Sequence, residues 1–504
     1  MKKWILCACA LACGVFSHAQ TGITQDVLKS LEGSYTDTPT DKALRNAMGA
    51  TSIQKLTLNQ DNRYAKDTHF STEVKNSGIS DQESSGRCWL FTGTNVLRNR
   101  AMRTLGVSDF FFSQVYLFFF DQLEKSNLFL QGVIDTRKED MDSQMVRWLF
   151  QNPLSDGGTY TGVADLVTKY GLVPQDVMPE TYVSNLTSEF NSYLKRKLRE
   201  DGILLREKSQ QGASDKELQA MKVEQLKTVY RMLVMAYGQP PKTFTWAPRK
   251  DGKCISAPQT YTPQEFYQKV CAASEDLYAD YVMLMNDPSR PYHQVYEIDN
   301  DRHLYDGHNW LYLNLPMEVL KPMAIASLTD SCQMYFSCDV GKYLDRQTGF
   351  LDLNNYEYGN LFGTTFGMNK KQRIQSFDSG STHAMTLMAV DQDEQGKPVK
   401  WKVENSWGKD HGRDGFDTLS DAWFDEYVYQ VVVDKKYLTE EERHTYETEK
   451  PTVLAPWDPM GSLALEKGVS LCLIVCNRTT AITSRIERGG GSPRLTGKEQ
   501  YGKH

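Results

Sequence analysis

The chain has 504 residues, 40% of them hydrophobic and 24% charged, with a formal net charge of −7. This is the composition of a folded protein with a sizeable core, and it excludes wholesale disorder. The acidic balance works against sequence-independent nucleic-acid binding, which neutralises phosphates with basic side chains, and beyond the N-terminus no run of about 20 apolar residues supplies a membrane span.

Residues 1–19 read as a signal peptide. Lys2 and Lys3 form a positive start, Trp4 to Phe16 an apolar stretch, and Ser17-His18-Ala19 a small-x-small cleavage site, so Gln20 becomes the first mature residue. The expected location is outside a bacterial cytoplasm: periplasm, cell surface or medium. Lipoprotein processing at Cys13 is the alternative, and Ala10-Leu11-Ala12 fits it poorly. Loss of the leader leaves Cys88, Cys254, Cys271, Cys332, Cys338, Cys472 and Cys476. An odd number of cysteines in an exported chain leaves at least one thiol unpaired within it.

Residues 20–80 are polar and mixed, without a strong period, and read as an N-terminal segment packing on the core. A helical part is expected over 81–185. From Cys88, residues Trp89, Gly93, Val96 and Leu97 share one helix face, with Gly93 permitting close packing and Ser84 and Ser85 as candidate caps. Residues 109–150 are aromatic-rich and helical in pattern, Asp156-Gly157-Gly158 is a turn, and a helix follows from Val163 to Tyr170. Residues 186–300 read as a helical insertion. Its stripes are Phe190, Tyr193, Leu194 and Leu198, then Leu226, Val229, Tyr230 and Leu233, before Gly238, Pro240 and Pro241 stop it. Residues 301–464 form a β part with a C-terminal arm. Strands are expected at Gln333 to Val340, Ala384 to Val390 and Tyr427 to Val433. In the strand after Ala384–Val390, Trp401, Val403 and Asn405 share one face and Lys402 and Glu404 the other. Residues 465–504 read as an atypical tail, disordered or removed. Helices first and strands later give an α+β protein whose two parts meet across a cleft.

Three segments carry chemistry: Gln82 to Trp89, Ser381 to Met385, and Glu404 to Gly408. Cys88 stands at a helix N-terminus, where the dipole and unpaired N–H groups favour an anion and lower a thiol pKa. A nucleophilic cysteine needs a base that holds its proton, a group that orients the base, and donors for an oxyanion. His383 opens an apolar strand after a Gly-Ser-Thr loop. Asn405 is an amide on a buried face, and an imidazole N–H would satisfy it. Trp407 would shield that bond from water, and the Gln82 amide would join the Cys88 backbone N–H as an oxyanion hole.

Weaker signals read as structure. Asp391 to Gly396 is a β-turn lacking the later bidentate acid of a calcium loop. His303 and His308 are loop residues rather than a metal pair, and Lys195-Arg196-Lys197 with Arg199 is a solvated helix face. No metal or cofactor is expected.

The segments SSGRCWLF, QVYLFFFDQLEKSNLFL, VMPETY, FSCDVGKY, STHAMT, VENSWGKDHG and WDPMGSLA resemble papain-like cysteine peptidases, and more closely their bleomycin hydrolase (aminopeptidase C) branch, from about residue 25 to Ala464. The resemblance implies a papain-like core of a helical part and an antiparallel β part, with a helical insertion. It implies Cys88 as nucleophile, His383 as acid and base, Asn405 as orienter and Gln82 as oxyanion donor. Gly157 and Gly158 look like the pair whose backbone binds an extended substrate, with Trp407 also placed beside the substrate. Peptide substrates and a homo-hexamer are further implications. In that branch the chain ends just after the segment matching Trp457 to Ala464, in the cleft, and its carboxylate holds the substrate's amine. This chain runs 40 residues further. An endopeptidase with an open cleft is therefore the alternative reading, and a nucleic-acid- or peptide-binding protein a distant one.

Overall fold

The computed structural model describes residues 22–63, 67–75, 78–272 and 276–462. The leader at 1–19, Cys13, Ala464 and the tail at 465–504 lie outside the described residues. The chain divides into two units, one of residues up to Asn59 with Tyr356–Thr365, the other of Gln60–Asn355 with everything from Phe366.

In the first unit, helices span Gln25–Gly33, Pro39–Ala50, Ile53–Thr57 and Tyr358–Phe362. Their signals are caps rather than apolar periods, which is why residues 20–80 read as featureless. Thr38 forms a capping box with Asp41, Pro39 takes the first helical turn, and Thr24 and Ser52 cap the other two N-terminal helices. The Gln54 amide donates to the Tyr356 hydroxyl at 3.0 Å.

In the second unit, helix α1 (Cys88–Leu105) ends at Gly106, whose φ of 69° is the left-handed stop that glycine tolerates. It packs on α3 (Tyr160–Tyr170) through Gly93, where an added Cβ would lie 2.6 Å from both Val163 methyl groups. Helix α2 (Gln114–Asp135) lies largely in the core, with Val115, Leu117, Phe118, Phe119 and Leu130 fully buried. The insertion supplies α4 (Thr187–Gln210) and α5 (Asp215–Tyr237). Leu194, Leu198, Val229 and Leu233 are buried as their spacing implies, whereas Tyr193, assigned to the same stripe, is 58% exposed.

The long helices expected over 186–300 end at Tyr237, and beyond them the segment is helical only at Pro263–Tyr267 and Gln268–Ala272. Short hairpins follow Tyr237, and then two strands of the main sheet, β2 (Tyr281–Met285) and β3 (Gln294–Ile298). Val282–Met285 is one buried apolar run. Such a run carries no alternation to separate a buried strand from a buried helix.

The sheet also contains β1 (Thr72–Glu73), β4 (Trp310–Asn314), β5 (Met334–Cys338), β6 (Leu344–Asp345), β7 (Phe350–Leu351), β8 (His383–Gln392), β9 (Pro398–Glu404), β10 (Phe416–Ser420), β11 (Val428–Asp434) and β12 (Thr452–Leu454). Their spatial order is β6-β7-β10-β9-β8-β5-β11-β2-β4-β3-β12, with β1 on β8. The pairing is antiparallel except at β7–β10, β2–β4 and β3–β12, which run parallel. Helix α6 (Met317–Thr329) packs against β8 and β11, and α1 against β8 and β5.

Strand β9 corrects one expectation. Trp401, Val403 and Asn405 are buried, but Glu404, expected on the opposite and outward face, is 1% exposed. Its carboxylate accepts from Arg98 Nη2 at 2.8 and 3.0 Å and from Asn95 Nδ2 at 3.1 Å, both on α1. That face is covered by the helix, so the residue that looked solvated is an interior ion-pair partner. Removing one member of a buried pair leaves an uncompensated charge. Glu404→Ala should therefore cost about 3–5 kcal/mol of stability, with most of it regained in Glu404→Leu/Arg98→Met, as read by thermal or urea unfolding.

Candidate active site

Cys88 is the first residue of α1, and its N-cap, Arg87, makes no side-chain capping bond. Ser84 and Ser85, the expected caps, do not cap. The Ser85 hydroxyl instead donates to the Gln82 carbonyl at 2.6 Å and accepts from Arg87 Nε at 2.9 Å. The Arg87 guanidinium is buried and pairs with Glu180 at 2.7 Å. The helix start thus keeps its N–H groups for another acceptor. Backbone N–H groups of Ala384, Trp89 and Cys88 itself point at the sulfur. Burial nevertheless outweighs them and pushes the thiol up to about 11, with the nearby Asp156 charge acting in the same direction. At the half-buried Cys88, burial thus works against the lowering that the helix terminus and these N–H groups favour.

His383 opens β8 opposite Cys338 on β5 and is 5% exposed. Its Nε2 lies 2.9 Å from Asn405 Oδ1, the bond expected from sequence. Burial draws the imidazole pKa down to about 4; the Asn405 bond and the Asp417 charge oppose that, and His411 and Arg346 add to it.

Asn405 follows the last residue of β9. Its amide Nδ2–H donates to Asp417 Oδ2 at 2.7 Å, and its Oδ1 also accepts from the Ser406 N–H at 2.8 Å. Gln82 is buried, and its Oε1 accepts from the Ser406 hydroxyl at 2.6 Å, so Nε2 is the donor end, bonding the Ser85 carbonyl at 2.5 Å. One further N–H of that amide is available. The Trp407 ring lies 4.7 Å from the His383 ring and 4.7 Å, edge-on, from that of His411. It packs against the His383 ring.

Gly157 and Gly158 follow Asp156, whose carboxylate accepts from the Gly86 N–H at 2.8 Å and whose carbonyl accepts from Trp89 Nε1 at 2.8 Å. This ties the glycine turn to the start of α1. A Cβ on Gly158 would lie 2.2 Å from the His303 ring and 2.8 Å from that of Trp89. His303, read only as a loop residue, is in fact buried. Its Nδ1 is 2.5 Å from Asp121, and its Nε2 accepts from the Thr159 N–H at 3.3 Å. Lys125 holds Asp121 and the carbonyls of Ser155 and Gly157 at 2.6–3.1 Å. No local pattern announces this Asp121–His303–Lys125 support, because its members come from α2 and from a loop nearly two hundred positions later.

Gly157, Lys125, Trp148, Asp301, His303 and Ser462 border a small pocket of about 60 Å³. The arm reaches it by pairing β12 with β3, by an Asp458–Arg290 ion pair, and by Ser462, whose N–H and hydroxyl donate to Asp301 at 2.8 and 2.5 Å.

A helical part and a sheet, with a cysteine at a helix start and a histidine at a strand start, define the papain-like class of cysteine peptidases. The chain belongs to the Peptidase C1-like family, which matches residues 22–461. It is 37% identical to aminopeptidase C of Listeria monocytogenes over 448 residues, covering 88% of this chain and all of that one. It is 40% identical to human bleomycin hydrolase over 394 residues, covering 77% and 86%. The crystal structure of PepW from Lactobacillus rhamnosis HN001 superposes with a TM-score of 0.82 at 40% identity, covering 88% of this chain and 99% of that one.

The packing at Gly158 gives a direct expectation. Gly158→Ala forces His303 or Trp89 to move, and overpacking of this kind costs about 1–3 kcal/mol, measurable as a lowered Tm.

Proposed function

We propose that the protein is an exported cysteine aminopeptidase that removes residues from the free N-termini of peptides. In this reading the Cys88 thiol passes its proton to His383, and the sulfur attacks the scissile carbonyl carbon. The Gln82 amide and the Cys88 backbone N–H hold the oxyanion. Collapse breaks the C–N bond, His383 protonates the leaving amine, and a thioester remains on Cys88. Water then attacks that thioester with His383 as base, releasing the acid and restoring the thiol. Asn405 keeps the imidazole in register throughout.

The observation that carries this reading is the His383–Asn405 bond at 2.9 Å on a strand whose next N–H, that of Ala384, points at the Cys88 sulfur. Similarity to aminopeptidase C and to bleomycin hydrolase supports the peptidase reaction, and the exopeptidase preference rests also on the arm held beside Gly157 by Asp301. Export rests on the Lys2–Ala19 pattern, and a homo-hexamer on the resemblance alone. Light scattering and N-terminal sequencing of the exported protein test these two.

Cys88→Ser should lower kcat/KM more than tenfold, a loss above about 1.4 kcal/mol, with the fold retained. Activity above a tenth of wild type removes Cys88 from the nucleophile role. Asn405→Ala should lower turnover without ending it, since the Cys88–His383 pair survives with a looser ring.

The tail sets the register. A carboxylate at Ala464 pairs with a substrate ammonium by a charge-assisted hydrogen bond, which a peptide amide there cannot offer. The tail should therefore be trimmed near Ala464, as mass spectrometry of active and Cys88→Ser protein would read. The chain ending at Ala464 should cleave free N-termini and spare acetylated ones. Equal cleavage of both makes the protein an endopeptidase.

A further inference from the structure

Behind Asn405 stands a carboxylate that the reaction as written does not use. Asp417 lies on β10, in register with Val403 of β9, and is fully buried. Its Oδ2 accepts from Asn405 Nδ2 at 2.7 Å, and its Oδ1 lies 2.9 Å from His411 Nε2. The His411 ring meets Trp407, and Trp407 covers His383. The five side chains close a ring: His383, Asn405, Asp417, His411, Trp407. Backbone closes round the carboxylate as well. A Cβ on Gly349 would lie 2.6 Å from Asp417 Oδ1, and one on Gly412 2.9 Å, and both glycines have positive φ, 68° and 55°. A carboxylate so enclosed interacts with its neighbours at low dielectric.

The hydrogen-bond logic is one-directional. A carboxylate only accepts, so the Asn405 amide must turn Nδ2 towards it and Oδ1 towards His383. Oδ1 only accepts, so the imidazole must carry a proton on Nε2. That leaves Nδ1 as the nitrogen that takes the thiol proton. We propose that Asp417 is a positioning residue of the reaction: it sets the Asn405 amide, through it the His383 tautomer, and its negative charge favours the imidazolium that forms when the thiol ionises. This rests on the reading of Cys88 and His383 as the reacting pair.

The charges around the imidazole are few. They are Asp417 on β10, His411 in the loop before it, Arg346 beyond β6, Asp339 bonded to Thr382 on the incoming loop, and the thiols of Cys88 and of Cys338 on β5. Burial opposes the imidazolium most strongly, the Asn405 bond and then Asp417 favour it, and His411 and Arg346 work against it.

The test is Asp417→Asn, which keeps size and hydrogen bonding and removes the charge, with Asp417→Ser as a second neutral variant should the first not fold. Thermal unfolding checks the fold. The pH profile of kcat/KM and the pH profile of Cys88 alkylation by iodoacetamide read the ion pair. Loss of the negative charge destabilises the imidazolium, so the limb of each profile that reports its deprotonation should move down by about one pH unit, with kcat about tenfold lower at neutral pH. KM should stay within about twofold, since no substrate contact is lost. A His383 limb that stays in place in a folded neutral variant overturns the inference, as does a rise in KM with kcat unchanged. Cys88→Ser separates the two levels. If it is as active as wild type, the reacting pair itself is misassigned. If it is inactive while the Asp417 variants keep the wild-type profiles, only the role of Asp417 falls.

Discussion

The site depends on one interior ion pair. Cys88 begins a helix and Asn405 follows the end of a strand, 317 positions apart in the chain. Glu404, the neighbour of Asn405, reaches across to Arg98 and Asn95 on the helix that Cys88 opens. A buried, hydrogen-bonded pair of this kind is weak evidence of net stability, but it is directional. Sliding the helix along the sheet would leave two charges unpaired in a dry interior. Apolar packing alone tolerates small slides, because it is non-directional. The loops repeat the arrangement. Gln82 N–H donates to the Ser406 carbonyl, Ser406 Oγ to Gln82 Oε1, and Gly408 N–H to the Ser80 carbonyl. The segment entering the helix is therefore sewn to the segment leaving the strand.

With that framework rigid, the electrostatics of the pocket follow from dryness. Burial pushes the thiol up to about 11 and draws the imidazole down to about 4. Taken singly, each shift suppresses the reactive form. Taken together, they make the charged state conditional on partnership. In the proposed reaction the developing charges would meet the N–H groups at the helix start and the Asn405 amide. Preorganised groups of this sort need no reorganisation when charge develops, which is the source of most electrostatic catalysis.

What sequence made legible was local. The helix from Cys88, the close contact through Gly93, the strand opening at His383 and the inward Asn405 all follow from period, turn chemistry and the cost of burying an amide. What it hid was non-local. Glu404 alternates with Trp401 and Val403 and so looked outward, because one strand cannot reveal that a helix covers its other face. Ser84 and Ser85 have cap chemistry, but Ser85 is spent on Gln82 and Arg87. Asp417 stands two residues before the buried Leu419 on the same strand face. An acid on the inward side of a strand was the available signal, and it was masked by the polar run Lys409 to Asp414. His303 had no signal at all, since Asp121 approaches it from a distant helix.

The same non-local logic governs the C-terminal arm. Burial raises the pKa of Asp301, and the two Ser462 bonds oppose that rise. Without the arm, this carboxyl would lack both donors in a dry site, a cost comparable to leaving a buried polar group unsatisfied. The arm is anchored by Met460, which is fully buried in the core, and by the polar contacts of Asp301 with Ser462 and of Arg290 with Asp458. Arm and carboxyl are thus mutually dependent, and Ser462 is held beside the pocket that Gly157 also lines.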